Sequence, residues 1–334
     1  MTAARRYLSW ALLTISVGWL FIQAPAPTLR EALFLAMILA ATAWTRTVTW
    51  HVALAALALG IGLAAPLTVG LGWAMSALGL DLTEGLGSWG VVPVVEELVK
   101  LLPVGLVAGR CHRRSRQSIN PSDWLVIGCA AGAGFAMVEN AQLLMANARV
   151  TSDMAIRYGP HVFGLYAFPG AWGAAGYVGH AGATGIAAAG IGLSMALRRS
   201  GPAPRIGVLA WLCRVPAPWW TASVAGLGWV TAEHVLANLY VNTASAGALV
   251  LGNGRLTPWL GVLWFALVIL IDNAHRRQAL QGSRIFRIHF ALLAGAARGV
   301  MPSRLSAVEL QARRWREFRH LNAAAWATFD RRPS

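Results

Sequence analysis

Between Tyr7 and Leu293 the chain is a series of apolar runs, most of them long enough to cross a bilayer, separated by shorter connections rich in arginine. About 20 apolar residues in a helix span the hydrocarbon core, and in lipid only a helix or a closed barrel satisfies its own backbone hydrogen bonds. This pattern restricts the fold class to all-α, a polytopic membrane helical bundle. With 57% hydrophobic and 12% charged residues, the chain does not read as a soluble domain built around one core. The formal net charge of +15 would suit a nucleic-acid partner. The arginines, however, gather between apolar spans and in the tail, where retention on the cytoplasmic side accounts for them, so no nucleic acid is expected. Cys111, Cys129 and Cys213 are too few and too scattered for a disulfide framework or a thiolate metal cage.

The runs divide into about eight transmembrane helices. The first covers residues 7–22 and is expected to be retained rather than cleaved as a leader, because many spans follow it. The second covers 31–44, the third lies within 50–80, and 81–88 is a glycine-containing loop without bases. The fourth, 89–109, ends in the basic run Arg110 to Arg116, the clearest cytoplasmic marker. The fifth covers 123–147. A re-entrant or interfacial piece is expected before the sixth, 171–197, because 158–197 is too long for one crossing and carries Pro160, Pro169 and Gly170. The segment 206–214 reads as interfacial, the seventh span covers 219–241, and the eighth covers 258–271. With both termini in the cytoplasm, every strongly basic connection falls on one side of the cell membrane. The domain plan is thus a multi-pass unit over residues 1–277, with its site region at 89–241. An arginine-rich cytoplasmic tail follows over 278–334, its amphipathic helical patches suited to anionic lipid.

Against this background one stretch is anomalous. Val94-Val95-Glu96-Glu97-Leu98-Val99-Lys100-Leu101-Leu102 places two carboxylates and an ammonium inside a span, and Lys100 is the only lysine in the sequence. Each such charge costs roughly 2.5–3.5 kcal/mol on insertion scales, so charges at that depth usually line a cavity and work. Three further spans carry polar groups: Glu139 in the fifth, His180 in the sixth, and Glu233, His234 and Asn238 in the seventh. Alternating span directions puts Glu96, Glu139, His180 and His234 each about two turns, roughly 10–14 Å, from the outer end. One shared, outward-facing aqueous cavity explains the alignment. Helix faces agree: Gly128, Gly132, Phe135 and Glu139 share one, Gly173, Gly176, His180 and Thr184 another, and Thr231, His234 and Asn238 a third. Asp272 and His275 read as interfacial, and His161 and Glu233 receive no role.

Acids and imidazoles in a confined wet site suit the activation of water, with Glu96 or Glu97 as general base and an imidazole and the Asn238 amide donating to an oxyanion. Two histidines, a glutamate and an open position equally suit a catalytic zinc, with Glu96, Glu139, His180 and His234 as its ligands. Residue types alone leave both chemistries open. The zinc-protease motif His-Glu-x-x-His, a phosphate-binding loop and a Gly-x-Ser-x-Gly elbow are absent from the sequence.

The four motifs together resemble the PrsW family of intramembrane proteases and, more distantly, the CAAX prenyl protease superfamily. The resemblance rests on Glu96-Glu97-x-x-Lys100, Phe135-x-x-x-Glu139-Asn140, His180 with Thr184, and His234-x-x-x-Asn238, in order over residues 89–240. Glu139 stands where the wider superfamily commonly has histidine, which favours the PrsW branch. The resemblance implies a multi-pass protease that clips a membrane-anchored protein substrate, such as an anti-sigma factor, in or near the lipid bilayer. On this reading Glu96 is the base, with Glu97 beside it; His180 shares the water or metal; His234 and Asn238 serve the oxyanion; and Glu139 is a second acid or ligand. Lys100, Asn140 and Thr184 support them. The first three spans and the tail lie outside the resemblance. A proton-coupled carrier using the same carboxylates, or a non-catalytic scaffold of the same fold, is the alternative. A carrier would be expected to show an internal repeat, and the sequence shows none.

Overall fold

The computed structural model describes residues 3–43, 45–82, 84–115, 119–146, 179–199, 218–243 and 256–282. Among them there is no strand. The helices are α1 (Ala3–Gln23), α2 (Pro25–Ala41), α3 (Trp50–Leu59), α4 (Ala65–Ala77), α5 (Val92–Ser115), α6 (Pro121–Ala146), α7 (His180–Arg199), α8 (Thr221–Thr243) and α9 (Leu256–Gly282). Trp50–Ala77 and Pro121–Met145 are each long and apolar enough to cross a membrane; Trp10–Gln23 and Gly261–Ala274 are shorter apolar helices. α6 is the axis of the bundle, packed most extensively against α7 and also against α2, α3 and α5.

Two prolines account for the departures from α geometry. Pro66 and Pro93 each follow a π turn by two residues, the turns being Gly60–Ala64 and Gly87–Val91. A proline inside a helix has no N–H for the carbonyl four residues back, and its ring collides with that carbonyl. Here those carbonyls belong to Gly62 and Trp89, both inside the π turns, where the wider coil relieves the conflict. The first π turn lets α3 and α4 run on as one 28-residue helix.

The expected glycine face of α6 is a packing seam. A Cβ on Gly128 would stand 2.5 Å from Ala188 Cβ and 2.6 Å from the Thr184 carbonyl oxygen, and one on Gly132 would run into the His180 carbonyl. On another side Gly134 and Gly60 bring α6 and α3 together in the same way. In lipid such close contact supplies the van der Waals energy that water would otherwise provide through the hydrophobic effect.

At the Pro121 end of α6 a buried polar knot ties three segments together. Asp123 accepts the N–H groups of Thr47 (2.6 Å) and Val48 (2.9 Å), the Thr47 hydroxyl (2.5 Å) and the Asn120 N–H (3.2 Å). Asn120 donates to the Thr45 carbonyl (2.7 Å), and the Ser122 N–H donates to Asp272 Oδ2 on α9 (2.7 Å). Asp272 was expected at the interface; it is only 1% exposed. An unpaired N–H at the start of α6 needs an acceptor, and α9 brings that carboxylate to it.

Other boundaries also move. The second helix starts at Pro25, a residue favoured in a first helical turn, and not at Glu31, which lies buried inside it. Helix extends to Ser115, so most of the basic run after Gly109 is helical, and the 81–88 loop is shortened by the π turn from Gly87. α9 is longer than the expected 258–271 span. The sixth helix begins at His180 and not at 171, because Gly179 adopts φ 79°, a left-handed conformation that ends regular helix. Gly173 and Gly176, the re-entrant piece, the 206–214 segment and the 283–334 tail lie outside the described residues.

Candidate active site

Four helices converge on the anomalous charges. α5 supplies Glu96 and Glu97, about one turn past Pro93, and Lys100 one turn further on; α6 supplies Phe135, Glu139 and Asn140; α7 opens with His180; α8 supplies Glu233, His234 and Asn238. Lys100 is fully buried and Glu97 is 1% exposed, so neither can be satisfied by water. They satisfy each other: Lys100 Nζ lies 2.6 Å from Glu97 Oε1. The same ammonium is 2.7 Å from His180 Nδ1 and 5.0 Å from the centre of the Phe135 ring, a cation–π contact.

Glu97 Oε1 also meets His234 Nδ1 at 2.8 Å, so one carboxylate oxygen joins α5 to α8 while the lysine joins α5 to α7. The outer nitrogens of the two imidazoles turn toward the other acids. His180 Nε2 pairs with Glu139 Oε2, and His234 Nε2 is 3.7 Å from Glu96 Oε2. The rings stand edge to face, 5.2 Å between centres, with Phe135 packed edge-on against His180 at 5.0 Å. Glu139 is the most open of the acids at 30% side-chain exposure, and it faces the first turn of α7, whose orphan N–H groups favour negative charge.

The structure thus brings Glu96, Glu97, Lys100, Glu139, His180 and His234 into one cluster, and the Gly132 seam explains how His180 comes so close to α6. Thr184 is buried one turn after His180, its hydroxyl without a hydrogen-bond partner among the described residues. Asn140 is buried beside Glu139, and Asn238 is half-buried one turn past His234. One buried acid escaped the sequence reading: Glu31, 1% exposed on α2, is within electrostatic reach of Glu139. Glu233, which the sequence singled out without a role, is 3% exposed and adjoins His234. Glu31 had a signal: it is the only acid in the first 80 residues, and it lies in an apolar run.

The family described as PrsW family intramembrane metalloprotease matches residues 48–219, more than half of the chain. The chain belongs to this family. No curated protein and no solved structure matches it. The PrsW match takes in Glu96, Glu97, Lys100, Glu139, Asn140, His180 and Thr184, while His234 and Asn238 lie beyond its end, His234 joining the site through space. It begins early enough to include the third apolar run, which the motif resemblance had left out. PrsW membership makes the chain a membrane-embedded peptidase.

A metalloprotease family implies a metal, and the donor set fits one in part. Glu96, His180 and His234 each offer a ligand atom within 4.8 Å of the others, and Glu96 Oε2 is a buried oxygen with no hydrogen-bond partner among the described residues. A buried acceptor left without a donor is costly unless a cation or proton meets it. Two nitrogens and one oxygen with room for water match catalytic zinc. The Glu97 carboxylate on His234 Nδ1 is the outer contact that zinc-bound imidazoles generally have.

Proposed function

We propose that the protein is an intramembrane endopeptidase that hydrolyses peptide bonds of membrane-anchored proteins, an anti-sigma factor being the substrate type. The observation that supports this reading most directly is the cluster itself: two imidazoles, three acids and a lysine, gathered from the apolar stretches of four helices. A structural ion pair would need two groups; water activation needs a base, a donor for the developing oxyanion and a way to return the proton.

Glu96 serves as the base in this reading: among the described residues its buried Oε2 makes no hydrogen bond, and it lies 3.7 Å from His234 Nε2. It takes one proton from water as the oxygen attacks the scissile carbonyl carbon. An imidazole N–H and the Asn238 amide stabilise the resulting oxyanion. The proton held by Glu96 then passes to the amine nitrogen as the C–N bond breaks. Glu139 is the second acid, Glu97 and Lys100 hold the imidazoles, and Asn140 and Thr184 support α6 and α7. Were zinc held by Glu96, His234 and His180, Glu96 would be a ligand and no longer the base, and the ion would supply Lewis-acid polarisation of the water and of the carbonyl oxygen.

In this proposal the chain crosses the cell membrane about eight times with both termini cytoplasmic, as a transmembrane unit over residues 1–277 and an arginine-rich tail over 278–334 lying on anionic lipid. The deciding experiment compares membrane proteomes of cells carrying the wild type or Glu96→Gln. A peptidase yields membrane-protein fragments that vanish with the substitution. Identical fragment sets, with both proteins present at equal levels, would sink the peptidase reading and leave the carrier or the scaffold.

A further inference from the structure

Lys100 is fully buried, so each of the three N–H donors of its ammonium has to find a partner inside the bundle. Two polar atoms lie at hydrogen-bond distance, Glu97 Oε1 at 2.6 Å and His180 Nδ1 at 2.7 Å. Among the described residues the ammonium makes no third hydrogen bond. Its remaining neighbour is the ring of Phe135, with Nζ over it at 5.0 Å from the centre. The face of an aromatic ring carries partial negative charge and attracts a cation within about 6 Å, most strongly where no water competes.

Phe135 is held in place for this by packing of its own. It is 2% exposed and lies in a small apolar cluster with Ala64, Ala65 and Val99, apart from the main core of the bundle. Ala64 closes the first π turn and Ala65 opens α4, so the turn that accommodates Pro66 also brings two small side chains to the cluster around the ring. An edge-to-face contact with His180, 5.0 Å between centres and 63° between planes, ties the same ring to α7. A hydroxyl or an amide at this position would bring hydrogen-bonding groups of its own and compete for Glu97 Oε1 and His180 Nδ1; a phenyl ring attracts the charge without competing.

We infer that Phe135 is a positioning residue of the peptidase site: its ring face is the third partner of the Lys100 ammonium and keeps that charge between Glu97 and His180. The contact stands on geometry; its service to cleavage rests on the peptidase reading. Glu97 Oε1 also meets His234 Nδ1 at 2.8 Å, so the ammonium and this carboxylate together link α5 to α7 and α8. An ammonium free to swing toward Glu97 alone would let go of His180, and the two imidazoles would lose their common anchor. Phe135 is too buried to touch a substrate, so weakening its hold should lower kcat and leave KM where it is.

The test replaces Phe135 in the full chain by phenylalanine carrying one, two or three ring fluorines, which withdraw charge from the ring face while nearly keeping its shape. Stability in mixed micelles should fall in step with the number of fluorines. In the Glu97→Gln/Lys100→Met background, which has no ammonium, the same series should be flat. Cleavage should slow in the same steps, by roughly tenfold in kcat at three fluorines, with KM unmoved. Phe135→Leu, apolar but without a ring, should lose at least as much. A stability series that is flat with Lys100 in place, or that falls equally in both backgrounds, overturns the inference. So does a stepped stability series with a cleavage rate indifferent to fluorination, or a loss confined to KM. Should the double variant not fold, the two series with Lys100 in place still decide. A stepwise fall in stability in a protein that cleaves nothing would refute the peptidase reading alone.

Discussion

Replacing Lys100 by methionine keeps the length of the side chain and removes its charge, which isolates what the ammonium contributes. In the wild type the pair is 0% and 1% exposed, so water cannot take over as counter-charge for Glu97. Breaking a buried pair from one side costs about 3–5 kcal/mol, because the remaining ion stays buried and uncompensated. Glu97 keeps its 2.8 Å bond from His234, which places the loss at the lower end, about 3 kcal/mol. Against a total stability of 5–15 kcal/mol for a typical domain, that lowers the folded-to-unfolded ratio by roughly a hundredfold. Reversible denaturation in mixed micelles, followed by tryptophan fluorescence, reads the change. The double variant Glu97→Gln/Lys100→Met should recover most of the stability, since removing both charges of a buried pair is nearly neutral, yet it should not recover cleavage. Lys100→Arg should reach wild-type protein levels but cleave poorly, because a planar fork needs more room and paired acceptors than a compact ammonium does. A Lys100→Met protein as stable as the wild type, or a double variant less stable than the single, would refute this account of the pair.

Three other predictions follow from the geometry. Gly132→Ala should cost roughly 1–3 kcal/mol and lower cleavage with it, since its Cβ meets the His180 carbonyl and stands 2.8 Å from Thr184 Oγ1, whereas Gly105→Ala, with open space around it, should do neither. Cysteines placed at Ser88 and Arg113 should be labelled from opposite sides of the membrane, because 25 residues of helix separate them by about 38 Å, more than the hydrocarbon core; labelling from one side would refute the topology. Exhaustive chelation should abolish cleavage if zinc is the agent, with activity restored by added zinc; full activity in metal-free protein would exclude zinc and leave Glu96 to activate the water.

Much of the site was legible because charge in an apolar span is expensive and therefore conspicuous. Glu96, Glu97, Lys100, Glu139, His180 and His234 could each be picked out on that ground, and helical spacing correctly put Gly128 and Gly132 on the face that meets α7. The failures have local causes. His180 was placed inside a longer helix because nothing in the run from 171 distinguishes Gly179 from its neighbouring glycines; the left-handed φ is a tertiary outcome. Asp272 looked interfacial because it sits next to basic residues, but a side chain is buried by what packs over it, and Ser122 is 150 residues away in sequence. Glu31 was overlooked for being near a span boundary that lies elsewhere: with the helix beginning at Pro25, the carboxylate is a turn and a half inside.

The π turn ahead of Pro93 has a consequence for how this protein can change. It holds one residue more than an α turn would, and successive residues are set about 100° apart around a helix. Losing a single residue between Gly87 and Val91 would leave Glu96, Glu97 and Lys100 pointing where they do and swing everything before the turn about a quarter of the way round. The rim that leads into the helix can thus be rewritten by a one-residue deletion while the reacting groups keep their bearings. The proline behind the turn thus lets the approach to the charged cluster change independently of the cluster itself.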